Sequence, residues 1–486
     1  MKLWLKILLP ILAAVLLATG VAVLCLGGGE EAPKTTVEFH GQSYPLDTKE
    51  LDLSNAPLDG LDQLVLLRDL QLLDLRGTGM TTEQYRIMQG LYSDCRILWD
   101  PMFQGVSYPE NTQKLQAQTL TVADIEELAF FPQLEQLDAS ACRDYEMLLR
   151  LMRTYPNLDV HYEVEMGGTV LQTTATSAEF SNVTAEELAH GLLLLPELQS
   201  VMLKGQLPEL VDLLSFRDQY PQVEIRWRVE IYGRVFDGDD KEIDLCGIPM
   251  ENVSLVEEKS RYFSQLEKVL MWDCGISNEE MEALNQRNDG PLFVWKVSLG
   301  EHVTVRTDID NFICHKYGHF LREGECENFR YCTELVALDL GHRGIATCDF
   351  LQYMPKLKYL ILAHTYVTDF TPLTGLENLV FLEVFMLGDV KSFEPFLSLT
   401  GLEDLNIGYT HARDGVKVLE QMTWLKRLWW SDSRLSAAQQ RKLQEALPNT
   451  QLCMWLEDTS TGGGWRKNPN YYAMRELLGM PDESYR

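Results

Sequence analysis

Residues 357–379 read LKYLILAHTYVTDFTPLTGLENL, and the spacing of the leucines in that stretch decides the fold. Leu357, Leu360 and Leu362 form an L-x-x-L-x-L segment, and four others align with it. They begin at Leu335, Leu379, Leu402 and Leu425, so successive starts lie 22, 22, 23 and 23 residues apart. On a strand, the last two apolar positions point to one side and the residues between them to the other. Val367, Phe370, Leu373 and Leu376 then return apolar side chains to the same interior. A coil of this length buries its leucines only against its neighbours, which predicts a stack of coils carrying one parallel sheet.

Working back toward the N-terminus, the repeat lengthens. Gly41, Gly105, Gly168, Gly233 and Gly300 recur at intervals of 64, 63, 65 and 67 residues, and Leu70, Leu134, Leu198, Leu266 and Leu335 at 64, 64, 68 and 69. Two independent markers thus give one period, close to three coils of 22. One unit reads as strands at 51–53 and 73–75, a helix at 82–91 capped by Thr81 or Thr82, and a strand at 97–99 running toward a glycine turn. Without Gly/Ser/Pro-rich linkers, these units are expected to belong to the same array rather than to separate modules.

With its Asp-Phe-x-Pro-Leu turn, the 357–379 stretch resembles the 22-residue repeat of internalin-like bacterial leucine-rich repeat proteins. The resemblance implies an α/β leucine-rich repeat solenoid with a parallel sheet on its concave face, and a binding rather than catalytic role. One departure stands out. Where that family places an asparagine, this chain has Arg343, Thr365, Leu387, Thr410 and Ser433, so less uniform coils are expected.

Residues 7–26 are apolar apart from Pro10, Thr19 and Gly20, with Lys2 and Lys6 before them and Glu30 and Glu31 behind. About 20 residues at roughly 1.5 Å each span a bilayer core, and the charges place the N-terminus in the cytoplasm. The expectation is one N-terminal transmembrane helix with the rest of the chain extracellular. A cleaved signal peptide, suggested by Ala18-Thr19-Gly20, is the alternative, and a lipid anchor at Cys25 is disfavoured by Leu24. The expected organisation is an anchor or signal peptide at 1–29, divergent 65-residue units at 30–334, regular repeats at 335–456 and a C-terminal cap at 457–486. The cap follows a Gly-rich run, with Asn468 capping a helix and Pro469 in its first turn.

Forty-two basic against 72 acidic residues among 486 give a formal charge of −30, which excludes a nucleic-acid role. The 45% hydrophobic content excludes disorder. No His-Glu-x-x-His, Gly-x-Ser-x-Gly, P-loop or Cys-x-x-Cys motif is present, so neither catalysis nor a cofactor is expected. Nine cysteines beyond Cys25 imply no obligatory disulfide framework. Zinc at Cys314, His315, His319, Cys326 and Cys332 is disfavoured by spacing against an ordinary loop with at most one disulfide. Calcium at Asp237, Asp239, Asp240 and Asp244 is disfavoured against a solvated turn.

Outward strand positions form one row of Ala337, Tyr359, Phe381, Asp404 and Arg427 and another of Asp339, Ile361, Glu383, Asn406 and Trp429. The candidate site is the patch of Tyr359, Phe381, Glu383, Phe385, Tyr409 and Trp429, edged by His342 and His364. Exposed aromatics clustered on a sheet mark a docking surface. The expected partner is a protein, peptide or glycan outside the cell, with a basic one favoured by the acidic field. An extracellular carboxylate- or metal-dependent hydrolase is the alternative, recognised by two titratable groups converging in one pocket. A transmembrane sensor is disfavoured, because only six residues precede the apolar run.

Overall fold

The computed structural model describes residues 35–314, 321–454 and 464–480. The apolar run at 7–26 lies outside them, as do His315 and His319. Among the described residues, no helix is long and apolar enough to cross a membrane. Two compact units divide the chain, Met1–Trp227 and Arg228–Arg486.

The first unit alternates short parallel sheets with two-stranded hairpins. Strands Glu50–Asp52, Leu72–Asp74 and Arg96–Leu98 pair in parallel, as do Lys114–Gln116, Gln136–Asp138 and Asp159–His161. Antiparallel hairpins at Thr36–Phe39/Gln42–Pro45, Met102–Phe103/Val106–Ser107 and Glu163–Met166/Thr169–Gln172 punctuate them. The recurring glycines sit in the hairpin turns. His40-Gly41, Gln104-Gly105 and Gly167-Gly168 all take positive φ, the mirror-image turn that matches the twist of paired strands. Ser177–Ser181 and Ser200–Lys204 pair with each other, and the latter with the first half of Glu224–Ile231, which crosses into the second unit.

Helices on the return path start where side-chain oxygens cap free backbone N–H groups. Thr81, Thr121 and Thr184 each form a reciprocal capping box with the residue three positions on.

In the second unit the second half of Glu224–Ile231 turns at Tyr232-Gly233 onto Arg234–Asp237. A three-stranded parallel sheet (Glu242–Asp244, Lys268–Leu270, Leu292–Val294) and a hairpin (Lys296–Leu299, Val303–Arg306) follow. A seven-stranded parallel sheet comes next, made of Asn311–Ile313, Ala337–Asp339, Tyr359–Ile361, Phe381–Glu383, Asp404–Asn406, Arg427–Trp429 and Gln451–Cys453. Its register joins Ala337, Tyr359, Phe381, Asp404 and Arg427 in one row and Asp339, Ile361, Glu383, Asn406 and Trp429 in the next. The L-x-x-L-x-L side chains form the inner core. From Leu335 to Trp430, those of the five segments are all 2% exposed or less. The leucine-rich repeat pattern is therefore present as a one-residue-per-row ladder.

A feature the spacing did not disclose recurs at the end of every strand in this ladder. His342, His364, Met386, Tyr409 and Asp432, each seven residues after the first leucine of its segment, have φ between 50° and 61°. This left-handed corner turns the chain out of the strand while its N–H stays in the ladder: His342 donates to Ala363 O, His364 to Phe385 O, Met386 to Gly408 O and Tyr409 to Ser431 O. At the next position, where the related proteins carry asparagine, hydroxyls act instead. The Thr410 Oγ1 donates to Val384 O at 2.6 Å and accepts from Leu387 N at 3.1 Å, tying two coils together. Thr365 bonds only within its own coil, to Leu362 O.

Candidate functional site on the outward sheet face

The outward rows do not face solvent as expected. Residues 464–480 lie across them, with a short 3-10 turn (Gly464–Lys467) leading to the helix Pro469–Leu477. Asn468 caps that helix, accepting from Tyr471 N at 2.8 Å, with Pro469 at its first position. Trp465, Tyr471, Met474 and Leu478 form one buried cluster with Ile313, Ala337, Ile361, Ala363, Phe381, Trp429 and Cys453.

Trp465 is the anchor. Its ring stacks on Phe381 at 4.5 Å and 27°, and meets Trp429 edge-on at 4.7 Å and 73°. Offset stacking and edge contacts of this kind are worth about 0.5–1.5 kcal/mol each beyond the area they bury. Its indole N–H donates to Glu383 Oε2 at 2.7 Å. One turn on, Asn470 Nδ2 donates to Glu403 Oε2 at 3.0 Å and to Asp404 Oδ2 at 2.7 Å. Asp404 has no exposed side-chain surface and is held by the guanidinium of Arg427 on the neighbouring strand. Tyr471 lies between Arg466 and Arg475, whose guanidinium carbons stand 6.0 and 5.8 Å from its ring centre.

Of the six expected site residues, Phe381 and Trp429 are buried at 0% and 1% exposure, because Trp465 covers both rings. Tyr359, Glu383, Phe385 and Tyr409 are half-buried. The register brings Tyr359, Phe381, Glu383 and Trp429 together. Phe385 and Tyr409 meet edge-on at 5.7 Å beyond the strand ends. His342 and His364, exposed on adjacent corners, stack at 4.4 Å, and burial together with the neighbouring imidazole lowers the His364 pKa. Sequence reasoning missed Trp465, Asn470 and Tyr471 as partners of this face. A Trp and two Tyr in an otherwise polar tail were the available signal.

A cleft of about 410 Å³ remains between the segment and the near end of the sheet, lined by Asp339, Arg343, Glu383, Arg466, Tyr471 and Ile361 among others. Its floor is low because the next outward positions are Gly341 and Ala363, which carry almost no side chain. Part of Glu383 reaches this cleft, yet protein atoms crowd its carboxyl. Burial raises its pKa to about 7, with Asp339 adding to the rise and the Trp465 N–H and Arg466 opposing it. Asp339 Oδ1 accepts from Gly341 N at 2.8 Å.

The other candidates resolve into structure. Cys314, Cys326 and Cys332 are buried free thiols, those of Cys314 and Cys332 pushed up to about 12 by burial. Asp237, Asp239 and Asp240 clamp a turn: Asp237 N donates to Asp240 Oδ2, and Asp239 N to Asp237 Oδ1. Asp244 instead accepts from Cys246 N. Among the described residues no group of three or more His, Cys, Asp or Glu side chains is placed to hold a metal ion.

No family model matches the sequence, and no curated protein does. Among solved structures, internalin C2 from Listeria monocytogenes is similar at 24% identity and a TM-score of 0.23, over 27% of this chain and 66% of that one, just under two thirds of its length. Another Listeria monocytogenes internalin, InlF, matches at 12% identity and a TM-score of 0.24, over 85% of this chain and 89% of that chain. A leucine-rich repeat protein of Leptospira interrogans matches at 16% identity and a TM-score of 0.23, over 84% and 96%. The assignment of residues 335–453 to the leucine-rich repeat pattern rests on their own register and core.

Proposed function

We propose that this chain is a non-catalytic binding protein whose sheet face takes a protein or peptide segment bearing aromatic and basic side chains. The seating of Trp465 carries this reading: its ring fits between Phe381 and Trp429 while its N–H reaches Glu383. Residues 464–480 hold Arg466, Lys467 and Arg475 against Glu476, a net charge of 3 − 1 = +2, on a chain whose total is −30. A face that holds one basic, aromatic helix in cis has the chemistry to hold another in trans. The resident segment sets the threshold that a partner must exceed. A glycan is the weaker fit, since the flat rings it would use are already stacked. The apolar run at 7–26, with lysines in front, supports a membrane-anchored or exported chain with this face outside the cell.

The test is a labelled peptide of residues 464–480 titrated onto the wild-type chain and onto Trp465→Ala. Binding to the variant, weak or absent on wild type, supports the reading, and binding to neither rejects it.

The hydrolase alternative has one observation in its favour, that Glu383, near 7, shares a cleft with Asp339. Turnover of a glycoside or peptide panel that vanishes in both Glu383→Gln and Asp339→Asn would establish it over binding.

A further inference from the structure

The cleft beside Trp465 carries charges of both signs at each of its two ends. At one, Asp339 leaves the strand Ala337–Asp339 and Arg343 follows in the same coil. At the other, Glu383 lies beneath Arg466 of the C-terminal segment. Ile361 separates the two acids in the row, so their strands stand two inter-strand spacings apart, about 9.5 Å. The floor between is apolar and shallow, made by Ile361 with Gly341 and Ala363. A Cβ on Gly341 would come within 3.4 Å of Ile361 Cγ2 and 3.0 Å of Asp339 Oδ1, which would narrow the trough. The volume of about 410 Å³ falls within the roughly 300–1,000 Å³ of small-molecule sites.

We propose that this cleft binds a small two-ended zwitterion of dipeptide length, its ammonium on Glu383 and its carboxylate on Arg343. Two residues of extended chain reach about 7 Å, and a hydrogen bond of about 2.8 Å at each end suits a span of this size, whereas a free amino acid is too short to touch both ends. Guanidinium is the group that grips a carboxylate with two parallel N–H donors. The side chains of the ligand would lie on Ile361 and against Tyr471. The inference is separate from the trans-docking reading. It needs the C-terminal segment in place, since Arg466 and Tyr471 form one wall.

The test is calorimetric titration of the full chain with dialanine, N-acetyl-dialanine, dialanine amide and free alanine. Dialanine should bind. Blocking either terminus, or shortening to alanine, should weaken binding by about tenfold or more. Glu383→Gln keeps an acceptor for the Trp465 N–H and should lose about ten- to hundredfold with an unchanged thermal midpoint, as should Arg343→Gln.

A second readout isolates Glu383. The charged groups facing it are Asp339 on its own sheet, Arg466 on the C-terminal segment, and Arg343 with His342 across the cleft. An arriving ammonium favours the ionised carboxylate, so at pH 7 dialanine should release a fraction of a proton, visible as a heat that differs between buffers. Glu383→Gln should show none. Absence of dialanine binding, equal binding of the blocked forms, or proton release that persists in Glu383→Gln would each overturn the proposal. None of these results depends on whether the labelled 464–480 peptide docks in trans.

Discussion

Trp465 donates its indole N–H to Glu383 across 82 residues of sequence, at 2.7 Å, and this one bond fixes where the end of the described chain lies on the sheet. The acceptor stands in the middle of an outward row, with Ile361 on one side and Asn406 on the other.

Trp465→Ala is expected to free the segment while leaving the inner leucine core intact. Truncating a buried Trp costs about 3–5 kcal/mol when its surroundings stay in place. Here the loss should appear as local release, so trypsin should cut after Arg466 and Lys467 many times faster than in wild type. Unchanged cleavage rates would show that Tyr471 and Asn470 hold the segment without it.

The raised pKa of Glu383 gives segment docking a pH dependence of definite sign. A carboxyl whose folded pKa lies near 7, above its ordinary 4.5, is protonated preferentially in the docked state. Its contribution is fully present below about pH 4.5 and is lost as pH rises through about 7, a swing on the order of 3 kcal/mol at most. Proteolysis of the segment should therefore quicken between pH 5 and pH 8, and Glu383→Gln should flatten that profile.

Asp404→Ala should destabilise the second unit by about 3–5 kcal/mol, because it strands the mostly buried Arg427 guanidinium and removes an acceptor of Asn470. Asn470→Ala breaks only neutral-to-charged hydrogen bonds and should cost about 1–3 kcal/mol. Urea midpoints of the two variants would rank them, and an equal loss would mean that Arg427 finds another partner.

The left-handed corners make a prediction with opposite signs at two sites. Met386 is exposed and holds φ at 58°, a conformation that costs a long side chain about 1–2 kcal/mol, so Met386→Asn should stabilise the chain. Gly77 occupies the equivalent corner at φ 71°, and a Cβ there would meet Asn55 Oδ1 at 2.2 Å. Gly77→Ala should therefore destabilise. Thermal unfolding would check both, and a shift of the same sign in each would contradict the shared corner.

What could be read from the sequence follows from the range of the signal. Leucine spacing is local and repeated, and it gave the two outward rows residue by residue, from Ala337 to Arg427 and from Asp339 to Trp429. The recurring glycines marked hairpin turns rather than coil boundaries, because a two-residue turn between antiparallel strands demands positive φ just there. Asn468 and Pro469 announced a helix start correctly, since capping is decided within four residues. The destination of that helix was not legible: nothing near Trp465 encodes Phe381 or Glu383, and the six residues chosen as an open patch look the same in sequence whether or not a later segment covers them. The corners at His342, His364, Met386, Tyr409 and Asp432 were hidden by variety. Asn55, Gly77, Asn182, Gly205 and Asp273, at the same place in the longer units, favour positive φ more plainly and were the available clue.

The order of synthesis gives the covered face a history. Ribosomes deliver Phe381, Glu383 and Trp429 before Trp465, so for an interval the newborn sheet presents bare rings beside an acid that has no indole to meet. Until residues 464–480 arrive, that surface is adhesive toward any unfolded neighbour. A chain halted near residue 454 would remain in that state, and its expected fate is aggregation or capture by a chaperone rather than a slightly looser version of the same protein.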